Sequence, residues 1–197
     1  MSAGASWAFD EDGQLAPPKP LPHDGVLLIS CTITAGTGRN EARDRIRACV
    51  CKALSQWLGL LPGAITFIST PGTAPRLMVD GLPEPGFSIS HEAGLSLAAV
   101  NLRGAVGVDV MRVQDVPDWH AVAQDYLGAD VAAGLARVPG SMRPVAFARA
   151  WCEREACLKL HGVGLGEWGQ VKCLEGVKVE VGLGEGLVGV MALHARG

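Results

Sequence analysis

Two long segments of helical periodicity set the terms for this chain. In the first, Ile46, Val50, Ala53, Leu54 and Trp57 form an apolar stripe between Asn40, a residue suited to cap the helix, and Gly59, which ends it. The second runs from about residue 144, where Pro144 suits the first helical turn, to residue 161, with Gly162 as terminator. Each lies among strand-like runs. "VLLISCTI" (26 to 33) precedes the first helix and "AITFIS" (64 to 69) follows it. Residues 87 to 89, 95 to 100 and 105 to 111 are further strands, and "NLRG" (101 to 104) is the turn joining the last two as a hairpin. A shorter helix covers residues 119 to 127, and residues 171 to 194 alternate apolar with polar or Gly as two or three strands. Each half thus runs strand, helix, strands, and the halves meet near Gly104. The economical architecture is α+β, with two similar lobes over residues 26–104 and 105–197 and a cleft between them. Residues 1–25, rich in Gly, Pro and acidic side chains, are expected to form an irregular arm.

Composition agrees with such an architecture. A chain of 197 residues suits one large domain or two lobes of ~100 residues each. With 48% hydrophobic and 19% charged residues it can bury a core. A net charge of -3 supplies no basic field for nucleic acid. No apolar run approaches the ~20 residues that cross a bilayer, and residues 1 to 15 lack the basic start and apolar stretch of a leader. The expectation is a cytoplasmic protein without nucleic-acid or membrane partners. Six cysteines do not suggest a disulfide framework: Cys49 and Cys51 are two apart, Cys152 and Cys157 point to different sides of one helix, and Cys31 and Cys173 fall in strands or at their ends. No CxxC or HxxxH spacing argues for zinc.

The chemistry-bearing residues are concentrated in a few short stretches. In "WCEREACLK" (151 to 159), Trp151, Glu155 and Lys159 fall on one helical face, either as a solvated ion pair or as half of an active site. In "GVDVM" (107 to 111), Val106, Val108 and Val110 share one strand face and Gly107, Asp109 and Met111 the other. An Asp is unusual there, and serves either as a strand end satisfied by backbone N–H groups or as a metal ligand. "FSISHEAG" (87 to 94) ends a strand in Ser90 and His91, which point to opposite faces and so cannot make a nucleophile–base bond directly. Arg76, in the loop "PGTAPRLMVDG", and Arg43 are two guanidiniums that either clamp phosphate or are ordinary surface charges. "REACLKLHGVG" has a superficial likeness to a Nudix box, but Leu158 and Lys159 stand where that box needs glutamates, so the reading is rejected.

In order, "ARDRIR", "APRL", "FSISHE", "GVDVM", "WCEREACLK" and "GVGL" resemble the motifs of the 4'-phosphopantetheinyl transferases, specifically the two-lobed surfactin type, over about residues 26 to 168. The resemblance implies two pseudo-symmetric α/β lobes. It also implies transfer of the 4'-phosphopantetheine arm of coenzyme A to a serine of an apo acyl or peptidyl carrier protein, with release of 3',5'-ADP. Carriers of fatty-acid, polyketide and nonribosomal peptide synthesis are the acceptor class. Asp109 and Glu155 match the family's Mg²⁺ ligands, and hard carboxylates suit that ion. Glu155 also matches a base for the serine proton, and Lys159 a charge-neutralising group on the phosphoryl oxygens. Arg43, Arg76, Ser90 and His91 match positions that hold coenzyme A phosphates, with Arg45 and Arg47 as neighbouring candidates for Arg43. Coenzyme A is expected in the cleft between the lobes.

Three departures stand out. Met111 replaces a carboxylate ligand, and a thioether does not serve Mg²⁺. Arg154 replaces a Lys, keeping the charge, and only Asp130 in "DYLGAD" stands near a further glutamate of the pattern. A monomer, either free-standing or a domain of a larger synthase, is expected. The alternative, suggested by Met111, is a catalytically impaired carrier-protein-binding module that keeps the fold.

Overall fold

A computed structural model describes residues 3–34, 36–70, 72–171 and 175–195. The chain forms two compact units, Met1–Val106 and Gly107–Gly197.

The first unit is built on a five-stranded sheet in the order β2-β1-β3-β7-β6, from strands β1 (Gly4–Phe9), β2 (Lys19–Leu21), β3 (Val26–Thr32), β6 (Gly86–Glu92) and β7 (Leu95–Asn101). Residues 4–9 and 19–21, expected in an irregular arm, are therefore strands of this sheet. β1 runs parallel to β3, pairing Trp7 with Ile29 and Phe9 with Cys31, and β2 folds back antiparallel on β1. Trp7 and Phe9 alternate into the core, a period-two signal masked by the Gly, Pro and Asp that follow. β6 and β7 form a hairpin, and β7 also pairs antiparallel with β3.

Helix α1 (Arg39–Leu58) lays Ile46, Cys49, Val50, Ala53 and Leu54 on this sheet, against Leu27, Ile29, Ala98 and Val100. Burying each large aliphatic side chain contributes roughly 1.5–3 kcal/mol. The helix begins after Gly38 with no side-chain cap, so Asn40 lies inside its first turn and is not the cap. Gly59 ends it in the left-handed conformation, as expected. A short antiparallel pair, β4 (Ile65–Ile68) and β5 (Arg76–Val79), adds Ile65, Leu77 and Val79 to the same core. Arg76, expected in a loop, is the first residue of β5.

The second unit has a three-stranded sheet in the order β8-β10-β9, from β8 (Val106–Arg112), β9 (Val177–Val181) and β10 (Leu187–Leu193). β8 thus belongs beside β10, and the expected hairpin with residues 95–100 does not form. Helix α4 (Arg143–Leu160) packs on β10, with Pro144 in its first turn. It approaches β8 very closely: a Cβ on Gly107 would stand 1.9 Å from the carbonyl oxygen of Ala156. Glycine is the one residue that permits this contact. At the other end Gly162, at φ 65°, closes α4, and the Val163 N–H reaches back to the Leu158 carbonyl at 2.9 Å.

Helices α2 (Trp119–Tyr126) and α3 (Ala129–Ala136) pack with α4 through Ala123, Leu127, Ala132, Leu135 and Phe147. α3 was not expected, because "ADVAAGLA" has few side chains large enough to mark a face. Five described cysteines are free thiols, and Cys173 lies outside the described residues. No helix among the described residues is long and apolar enough to cross a membrane.

Candidate active site

Gly107 sets the geometry of the second unit's polar cluster. With the α4 backbone against β8, Lys159 Nζ reaches Asp109 Oδ1 at 2.7 Å and the Val108 carbonyl at 3.0 Å. Asp109 is 7% exposed and the Lys159 side chain 28%, so this is a partly buried ion pair. Glu155 lies one helical turn before Lys159. Burial, reinforced by the negative charge of Asp109, holds its carboxyl above the usual carboxylate range, while Lys159 and Arg154 pull it back. Two carboxylates and an ammonium therefore share one partly buried place.

Trp151, on the same helical face in sequence, has a different task. Its ring packs against Phe147 at 6.1 Å and Tyr126 at 5.9 Å between centroids, anchoring α4 on α2. Met111 packs against the same apolar cluster. Asp130 is exposed in the first turn of α3, where its charge suits the helix N-terminus. Among the described residues no three His, Cys, Asp or Glu side chains converge on one point. The donor set near Lys159 is the pair Asp109 and Glu155. Its oxygens are hard, and the Asp109 repulsion that adds to burial in raising Glu155 is of the kind a divalent cation relieves, so the chemistry of the residues present fits Mg²⁺.

The first unit has a second polar place. Arg39, Arg43 and Arg47 are four residues apart, which aligns them along α1. All three line a cavity of about 510 Å³ together with Ser69, Thr70, Thr73 and His91. The Arg47 guanidinium hydrogen-bonds Ser69 Oγ and stands 5.4 Å from the Phe67 ring centroid. His91 Nδ1 lies 2.7 Å from Ser96 Oγ. Three guanidiniums, three hydroxyls and an imidazole are groups whose chemistry suits an anion.

Of the four expected phosphate residues, the structure brings Arg43 and His91 to this cavity. Ser90 alternates to the opposite face of β6 from His91 and is buried there. Arg76 is engaged in a bidentate pair with Glu84, with Nε to Oε1 at 2.7 Å; the pairing raises the guanidinium's proton affinity and lowers that of Glu84. Arg45 lies with Phe9, Asp12 and Lys52 at a separate cavity. The sequence reading missed Arg39, Ser69, Thr70 and Thr73. The fourfold spacing of Arg39, Arg43 and Arg47 was a legible signal; the three hydroxyls come from a loop whose path only the fold decides.

Residues 105–182 match the family model of the 4'-phosphopantetheinyl transferase superfamily. The chain is similar to the 4'-phosphopantetheinyl transferase HetI of Nostoc sp., with 27% identity over 121 residues, covering 60% of this chain and 51% of that protein. It is also similar to an L-aminoadipate-semialdehyde dehydrogenase-phosphopantetheinyl transferase of Eremothecium gossypii, with 30% identity over 115 residues, covering 54% of this chain and 40% of that one. The chain thus spans about half the length, or less, of the curated relatives it matches. Asp109, Glu155 and Lys159 all lie in the segment that matches the superfamily.

Proposed function

We propose that this protein is a 4'-phosphopantetheinyl transferase of the two-lobed surfactin type, which moves the phosphopantetheine arm of coenzyme A onto a serine of an apo acyl or peptidyl carrier protein. The observation that carries the proposal is the 2.7 Å contact between Lys159 and Asp109, with Glu155 one turn away on the same helix, inside the segment that matches the superfamily.

In this reading the serine Oγ attacks the phosphorus that bears the pantetheine arm. The bond to the adenosine-side phosphate breaks, and 3',5'-ADP leaves with the electron pair. Glu155 takes the serine proton, directly or through water, a role that its raised proton affinity favours. Lys159 offsets charge developing on the phosphoryl oxygens, giving up its contact with Asp109 to do so. Asp109 and Glu155 would hold Mg²⁺, which when bound supplies charge neutralisation for the pyrophosphate. Arg39, Arg43, Arg47 and His91 bind coenzyme A phosphate in the first unit. Ser90 and Arg76 are assigned lesser parts, because one faces away from that cavity and the other is paired with Glu84.

The alternative of a noncatalytic carrier-binding module draws only on Met111. Retention of Asp109, Glu155 and Lys159 together speaks against it. The test is incubation of the protein with coenzyme A, Mg²⁺ and an apo carrier protein. Transfer appears as a phosphopantetheine mass gain on the carrier with equimolar 3',5'-ADP. A panel of apo carriers left unmodified would overturn the proposal.

A further inference from the structure

Helix α4 is gripped from two sides. On one, Gly107 lets β8 lie against its backbone. On the other is Arg154, the residue just before Glu155, which is 7% exposed. Its guanidinium carbon stands 4.6 Å from the Trp168 ring centroid. Nη2 donates to the Val171 carbonyl at 3.5 Å, and Nε has no acceptor among the described residues. Among the described residues, the indole face and the Val171 carbonyl are thus what holds this buried cation.

Trp168 is itself fixed from behind. Its backbone N–H donates to the Asp125 carbonyl at 2.7 Å, and its ring lies against Gly128. A Cβ at Gly128 would meet the indole at 2.7 Å, and its φ of 93° is one that other residues rarely adopt. Gly128, Trp168 and Arg154 thus form a clasp, running from the corner between α2 and α3 across the ring to the middle of α4. It also ties down the segment that follows α4, where Val163 and Leu165 are exposed.

We propose that Arg154 and Trp168 are positioning residues for Glu155: the clasp fixes the rotation of the helical turn that carries the carboxylate. Residues 154 and 155 differ by one step around the helix, about 100°. A hold on Arg154 therefore dictates where Glu155 points. The inference rests on the transferase reading for its kinetic consequence, but not for the existence of the clasp. Small misplacement of a reacting group costs up to about 100-fold in rate.

The experiment compares Trp168→Ala, Trp168→Phe, Arg154→Ala and the parent protein. In the transfer assay, Trp168→Ala and Arg154→Ala are expected to lower kcat about tenfold or more, with KM for coenzyme A unchanged, because the arginine cavity of the first unit is untouched. Trp168→Phe keeps an aromatic face for the guanidinium and is expected to recover most of the rate. Hydrogen exchange, read by mass spectrometry, should speed up in peptides over residues 151–171 of both Ala variants and stay slow in the Phe variant. A folded Trp168→Ala protein with the parent's kcat overturns the proposal, as does a loss of rate that Trp168→Phe fails to recover. If the parent itself does not transfer, the functional reading fails, and unchanged exchange in the Ala variants then overturns the clasp as well.

Discussion

Glu155 sits under two opposed pressures. Its place on α4 beside Asp109 and Lys159 suits it to take a proton or hold a cation, while burial and the Asp109 charge disfavour its ionised form. An acid whose proton affinity is higher in the folded state than in the unfolded state loses stability as pH rises above its unfolded value. Glu155→Gln should therefore raise the melting temperature at neutral pH when divalent ions are removed, while slowing transfer by ~100-fold or more, the scale of a lost acid–base group. Calorimetry and the transfer assay on the same preparation check both halves; a Gln variant with the parent's rate refutes the role of Glu155. Lys159→Ala should also slow transfer, but with the Mg²⁺ concentration for half-maximal rate nearly kept. The arginines divide by geometry. Arg43→Ala should weaken coenzyme A binding by ~1–3 kcal/mol, the scale of a charged hydrogen bond, and Arg76→Ala by less because Glu84 already occupies that guanidinium. Titration calorimetry ranks the two, and an equal or larger loss at Arg76 would reverse the assignment.

At the scale of elements, the contact between β8 and α4 is the sensitive one. Gly107→Ala puts a methyl group against the Ala156 carbonyl and the Leu160 N–H, both backbone atoms that no rotamer change can move. The expected result is a loss of ~1–3 kcal/mol in denaturant unfolding, as for overpacked cores, together with weaker Lys159–Asp109 pairing. Unfolding within experimental error of the parent would mean that α4 yields freely. β1 is the second test. Phe9 is buried under α1, so Phe9→Ala should cost ~3–5 kcal/mol, far more than a substitution in an irregular arm would.

For the whole molecule, the proposed reaction needs charge neutralisation beyond what the side chains supply. With the carboxylates Asp109 and Glu155 as its candidate holders, a divalent ion removed by chelation should stop transfer and leave the circular dichroism spectrum intact. Added Mg²⁺ should restore the rate. Undiminished transfer in excess chelator would remove the metal from the proposal.

The sequence by itself determined the local elements whose signals are carried by neighbouring residues. The apolar stripe of α1, the Gly59 and Gly162 stops, and Pro144 in the first turn of α4 are near-neighbour properties, and each stands where it was read. The residue types of the candidate site were legible too, because GVDVM and WCEREACLK are contiguous strings. What the tertiary structure decided is pairing across long separations. That β1 runs beside β3, that β8 pairs with β10 and not β7, and that Arg76 is paired with Glu84 while Arg39 and Arg47 join Arg43 at the cavity all depend on contacts between segments. The strongest case is the closeness of Lys159 to Asp109, 50 residues apart in the chain, which requires that a glycine two residues before the aspartate have no side chain. Periodicity records which face of an element is apolar; it does not record which other element will cover that face, and the site is built by that choice.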